Sequence, residues 1–256
     1  MLMGEIDLSL GPLAGLAVVM ASFLLPEGAS NAQLLGGSTG VVFCCTAIGL
    51  IQGIGITLLN LPAVVVTLAS FFGLQGISLL LRPMPSGMIS ENLSLVLGHQ
   101  YLLFPVAAIA TLILMCVLER RLISSYLGRA LRATGSNRSA SFKLGVKHRT
   151  MGVIAFTLAG FLTGLAGLLF ATQVGIGSAT IGAEYTLMSI TAVVLGGAAI
   201  SGGRGLFIAT FFGALLVQAT FSTSSFLNIG TEWQYWIVGA TTLIAATLYQ
   251  KARCIN

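Results

Sequence analysis

Long apolar runs alternate with short polar breaks along this chain. Eight runs approach the roughly 20 residues that a membrane-spanning helix needs. They are Leu8–Leu25, Leu34–Thr57, Ala63–Leu81, Tyr101–Leu118, Met151–Thr172, Tyr185–Ile200, Leu206–Phe221 and Gln234–Tyr249. The pattern predicts an all-α, polytopic integral membrane protein with about 8 transmembrane helices. They form one transmembrane domain, residues 1–256, with a polar loop, residues 119–150, inside it. The Tyr185–Ile200 run is short and glycine-rich, so a bent or half re-entrant helix is expected there. Leu61-Pro62 marks a tight turn between the second and third spans, because proline disfavours helix in the residue before it.

Charge orients the spans. The stretch from Glu119 to Arg149 carries Arg120, Arg121, Arg129, Arg132, Arg138, Lys143, Lys147 and Arg149, out of 12 Lys and Arg in all. A basic loop between apolar spans marks the cytoplasmic side. Alternation then puts Arg82–Gln100 and Thr223–Trp233 outside. Ser201–Gly205, Leu61-Pro62 and both termini fall inside. Tyr101, Trp233, Tyr235 and Trp236 stand at expected boundaries, where aromatic belts form.

Glycine makes up 32 of 256 residues, against a usual ~7%. Gly49 with Gly53, and Gly160 with Gly164 and Gly167, form small-residue faces for close helix packing. Packing within the chain is the expected use, and a dimer contact the other. Any further spans would also be expected on these faces. Leu8-Ser9-Leu10-Gly11 and Ile200-Ser201-Gly202-Gly203 open two outward-going spans alike, a faint internal echo.

Composition changes the picture in one respect. The chain is 56% hydrophobic and 7% charged with a net charge of +5, and its mean hydropathy is +0.98. The basic residues, with Lys251 and Arg253 at the C-terminus, therefore report orientation and contact with the lipid bilayer rather than nucleic acid. Glu5 and Asp7 stand where a cleavable signal peptide would be basic, so none is expected. Cys44, Cys45, Cys116 and Cys254 have no metal-site spacing and read as inert apolar residues. His99 and His148 read as ordinary loop residues.

The expected spans hold almost no ionisable groups; Asp7, Glu119 and Glu184 lie at or just beyond their edges. Ion-driven carriers place charges at mid-membrane, and a membrane enzyme needs facing His, Asp, Glu or Cys clusters. Neither pattern is present, so no catalysis, cofactor or metal is expected. A Walker A loop, G-x-x-x-x-G-K-S/T, is also absent, so energy for uphill transport would come from another subunit. Uncharged polarity remains: Gln52, Thr67, Gln75, Gln173, Thr191 and Gln218. Such groups can glue helices together or line a path for a neutral solute. Gln52, Gln75 and Thr191 are the candidate lining residues.

Three stretches resemble one family, the permease subunits of binding-protein-dependent ABC importers of the ribose/branched-chain amino acid type. Gly4-Glu5-Ile6-Asp7-Leu8-Ser9-Leu10-Gly11 is similar to the family's G-G-I-D-L-S-x-G, with Asp7 and Ser9 at its centre. The run from Arg132 to Val146 resembles its ATPase-docking loop through Ala133, Gly135, Asn137, Ala140 and Gly145. Ile190 to Gly205, with Gly196, Gly197, Gly202 and Gly203, resembles the sugar branch's I-A-A-V-V-L-G-G-x-x-x-x-G-G-x-G. The resemblance implies a coupling helix shaped by Gly135, Asn137, Ala140 and Gly145, with the glycines at flanking turns and Asn137 as N-cap. It implies cytoplasmic ABC ATPase subunits, a second permease copy, a periplasmic solute-binding protein and residence in the bacterial inner membrane. Neutral monosaccharide import is the expected activity. Branched-chain amino acids and autoinducer-type furanones are the alternatives within the family. A secondary carrier or a non-functional membrane fragment is the alternative outside it. Family members usually open about two spans earlier, for about ten in all, so part of the first half is expected to be missing. Many sugar-branch members place an acid after the tyrosine that precedes the third motif. Here Thr186 follows Tyr185, and Glu184 lies before it.

Overall fold

A computed structural model describes residues 1–98, 100–101 and 104–255. His99 lies outside the described residues, as do the side chains of Tyr101, Lys251, Arg253 and Cys254. The order is α1 (Leu10–Leu24), α2 (Asn31–Leu59), α3 (Ala63–Leu81), β1 (Ser86–Met88), α4 (Glu91–Gly98), β2 (Gln100–Tyr101), β3 (Phe104–Pro105), α5 (Val106–Ser124), α6 (Tyr126–Ser136), α7 (Arg138–Lys143), α8 (His148–Val174), β4 (Ile176–Gly177), α9 (Tyr185–Leu195), α10 (Phe207–Phe226) and α11 (Thr231–Ile255).

Each of the eight apolar runs becomes a helix, α1–α3, α5 and α8–α11. Among the described residues, α2, α3, α8 and α10 are long and apolar enough to cross a membrane, while α1 and α9 are shorter apolar helices. The fourth run does not begin as helix at Tyr101: β2 and β3 pair first, and α5 starts at Val106. Asn60 closes α2 in the left-handed region, and Pro62 caps the start of α3, which makes the expected turn. Large apolar side chains such as Phe43, Leu80 and Phe212 point outward, as they do when lipid rather than water surrounds a helix.

The chain forms two compact units. One comprises Ile6–Leu114 and Lys147–Thr186; the other comprises Met1–Glu5, Met115–Val146 and Leu187–Asn256.

In the first unit α1 is the core. It is apolar all round, and such a helix is buried all round. Leu13, Leu16, Ala17, Val18 and Ala21 pack with Val41 and Cys45 of α2, Leu74 of α3 and Leu168 and Ala171 of α8. Between lipid-facing helices there is no hydrophobic drive, so close approach through small residues supplies the attraction. The two glycine faces do this against each other. A Cβ on Gly49 would strike the Phe156 carbonyl and the backbone of Gly160, and a Cβ on Gly160 would strike Cys45 and Gly49. The faces are therefore filled within the chain, which corrects the expectation that further spans would pack there. At the far end of α3, the Arg82 guanidinium lies 3.9 Å from the Phe23 ring centroid. It donates to Ser22 Oγ at 3.2 Å and to Ser86 Oγ at 3.1 Å. Ser86 belongs to β1, which pairs antiparallel with β4 through Ser86–Gly177 and Met88–Ile176.

The second unit holds α9 from Leu187 onward; the helix is 11 residues long, roughly 16 Å at 1.5 Å per residue. That is about half the hydrocarbon thickness, and the helix ends before the run's last residues. It stops at Gly196-Gly197, where Gly197 takes a φ of 78°. A Cβ on Gly196 would meet the backbone of Ala209 and Thr210, and one on Gly213 the carbonyl of Ala192. The third motif's first glycine pair thus seats α9 against α10. Ala192, Val217 and Val238 form the core of α9, α10 and α11.

Candidate coupling site

The basic loop folds into α6 and α7, separated only by Asn137. Ser125 caps α6 by accepting from Gly128 N–H at 3.1 Å. Asn137 has an extended backbone and caps α7, its Oδ1 accepting from Ala140 N–H at 2.9 Å. Gly145, at φ 81°, lies in the turn after α7, a conformation that costs other residues steric strain. Ser139 and Ala140 are exposed, as are Phe142 and Leu144, 70% and 81% accessible. A short helix thus presents two large apolar side chains amid basic ones.

Gly135 does not mark a turn. It sits in the last turn of α6, where a Cβ would run into the Leu2 carbonyl oxygen and lie 2.6 Å from Gly203 N. The requirement is close backbone approach. Gly203 N–H donates to that same Leu2 carbonyl at 2.8 Å. A Cβ on Gly202 would meet Gly4, and one on Gly4 would lie 2.9 Å from the Ser201 carbonyl. One member of each motif, Gly4, Gly135 and Gly202-Gly203, therefore meets the others backbone to backbone. Arg138, the first residue of α7, forms an ion pair with Glu5 across the same junction.

Beside this junction lies a buried charge. Glu119, near the end of α5, is only 6% exposed. Its Oε2 accepts from Phe207 N–H, the first residue of α10, whose N-cap position is held by Leu206 with no side-chain cap. Arg132 of α6 donates to the Gly205 carbonyl at 3.1 Å and stands 3.8 Å from Glu119 Oε1.

The remaining candidates lie elsewhere in the fold. Asp7 Oδ1 accepts from Ser9 N–H at 2.9 Å and from Ser9 Oγ at 2.6 Å, just before α1. Burial pushes the Asp7 carboxyl above its usual range, and the two bonds from Ser9 oppose part of that rise. Gln52 Nε2 donates to Ser9 Oγ at 2.9 Å, which extends the chain into α2. Gln75 Nε2 donates to the Ala179 carbonyl at 3.1 Å. Gln52 and Gln75 belong to one unit and hold different partners. Thr191, half-buried on α9, belongs to the other.

The family described as "Branched-chain amino acid transport system / permease component" matches residues 1–246. The chain belongs to this family. The permease is 31% identical over 264 residues to "Autoinducer 2 import system permease protein LsrC" of Escherichia coli O9:H4 (strain HS), an alignment that covers 99% of this chain and 74% of that protein. It is 30% identical over 261 residues to the protein of the same name from Yersinia enterocolitica serotype O:8, covering 99% and 70%. No solved structure matches.

Two residues of this candidate site, Glu119 and Arg132, are not singled out by sequence pattern. In the sequence Glu119 reads as a span edge, and Arg132 as a basic residue at the start of the run that resembles the docking loop. The available signal was that Glu119 is the one acid in the stretch from Glu119 to Arg149. An isolated acid in a basic segment is a candidate for pairing.

Proposed function

We propose that this permease is the translocating subunit of an ATP-driven importer in the bacterial inner membrane, and that its cargo is a small, neutral, hydroxyl-rich solute. Cytoplasmic ABC ATPases would seat on α7, and a periplasmic binding protein would deliver the solute. Two permease copies would form the pathway. The observation that carries this reading is the junction of Gly4, Gly135 and Gly202-Gly203. It fastens a short exposed helix with apolar tips to the start of the chain and to the loop leading into α10. A helix held in that way can transmit force.

The names of the relatives favour an autoinducer 2-type cargo, and a monosaccharide shares its uncharged, hydroxyl-rich chemistry. The helices bear Gln, Thr and Ser but few charges. A zwitterionic amino acid would seek charged groups or helix termini, and the buried Glu119 and half-buried Arg132 already engage the start of α10 and Gly205. The test is uptake by cells expressing the permease with its neighbouring ATPase and binding protein, offered labelled autoinducer 2, ribose or leucine in parallel. Uptake of either of the first two supports the reading. Leucine uptake alone sinks the cargo assignment.

A further inference from the structure

Glu119 and Arg132 are joined to the start of α10, yet only half joined to each other. Glu119 uses Oε2 for Phe207 N–H, and its Oε1 is buried with no hydrogen-bond partner among the described residues. Arg132 donates to Gly205, and its Nε is likewise buried without a partner. The two side chains stand 3.8 Å apart. Arginine–carboxylate pairs are strongest as two parallel hydrogen bonds at about 2.7–2.9 Å. A shift of about 1 Å would close the gap to that range.

Such a shift has a natural source. Arg132 lies on α6, and only Asn137 separates α6 from α7. Its natural receiver is α10, whose first N–H is held by a carboxylate from α5 rather than by a side-chain cap of its own. A helix N-terminus carries partial positive charge, so the position of a carboxylate there matters to the helix. We propose that Glu119 and Arg132 form a latch through which displacement of the α6–α7 segment reaches the N-terminus of α10. The latch rests on the reading that α7 receives the ATPase. Both residues are positioning residues that act through α10 and need touch no solute.

The test uses the permease–ATPase complex in lipid nanodiscs, with and without trapping by ATP and vanadate, and needs no solute. Hydrogen exchange is followed in two segments, residues 126–145 and 203–212. Co-purification of the ATPase with the wild type is scored first; its absence refutes the functional reading and the latch with it. In the wild-type complex both segments should respond to trapping. Arg132→Lys keeps the charge but loses the planar fork. Glu119→Gln keeps an oxygen for Phe207 N–H but loses the charge. In both variants residues 126–145 should still respond while the response of residues 203–212 is lost. A merely structural cap would leave Glu119→Gln like the wild type. An unchanged response of residues 203–212 in both variants overturns the latch and leaves the functional reading intact. Neither variant removes the contact to α10 outright, so the test does not depend on a fully disruptive Glu119→Ala.

Discussion

The carbonyl oxygen of Leu2 takes a hydrogen bond from Gly203 N–H at 2.8 Å, with Gly135 pressed against the same oxygen. Residues that are far apart in sequence, Gly135 and Gly203 from two separate motifs and Leu2 just ahead of the third, are thereby fixed at one point. The first prediction follows from that crowding. Gly135→Ala places a methyl group where backbone stands, and overpacking of this kind costs about 1–3 kcal/mol. Thermal unfolding in detergent should show the loss. Gly55→Ala, on α2 with nothing within 4 Å, is the control and should not destabilise. Equal melting of the two variants would refute the crowding.

A second prediction separates shape from contact in α7. Asn137→Ala removes the acceptor for Ala140 N–H, and loss of an N-cap costs about 0.5–2 kcal/mol of helix stability. Six residues have little else to hold them helical. Asn137→Asp should restore the cap. Ala140→Asp sits on the exposed face and should leave stability unchanged while placing a charge in the docked surface. Both Asn137→Ala and Ala140→Asp should weaken co-purification of the ATPase. Full retention with Ala140→Asp would count against docking through this face.

The third prediction concerns orientation. In a cysteine-free background, a cysteine at exposed Ser139 should be shielded from impermeant thiol reagents in intact cells, and one at Met84, 76% accessible, should label. The reverse pattern would invert the topology. Ser90 lies in the same loop but is buried, so it is no probe.

Most of the architecture was legible in the sequence because lipid imposes a simple rule on length and polarity. The apolar runs at α2, α3 and α8 needed little else, and Asn137 declared itself as a cap by residue type. Gly135 did not, because a glycine at a turn and a glycine under another backbone look alike in sequence. Its partner Leu2 lies more than a hundred residues away. The late start of α5 was hidden for another reason: the run before Val106 is as apolar as a span, but Tyr101 pairs with Phe104 and Gln100 with Pro105 as strand. Gln52 and Gln75 read as glue or as lining from sequence, and their partners Ser9 and Ala179 were not legible there because both contacts depend on how the helices pack.

Asp7 supplies a prediction about pH. Its folded-state pKa is raised above the ordinary 3.8 by burial. Between those two values the folded state holds a proton that the unfolded state has released, so stability falls as pH rises through this window. Asp7→Asn keeps an oxygen for both bonds from Ser9 and carries no charge. The variant should gain stability relative to the wild type as pH rises through this window and keep that gain up to neutrality. A difference between the two that does not vary with pH would show that the carboxyl is not desolvated.

The central claim is that transport through this permease is driven by ATP. It is tested most directly in proteoliposomes that hold the permease, its ATPase and its binding protein, with ATP clamped at a fixed level. Uptake of the cargo identified in cells is measured before and after addition of a protonophore. Uptake should require ATP and persist when the proton gradient is collapsed. Uptake that proceeds without ATP, or that stops with the protonophore while ATP is held constant, would contradict the account and point to a secondary carrier.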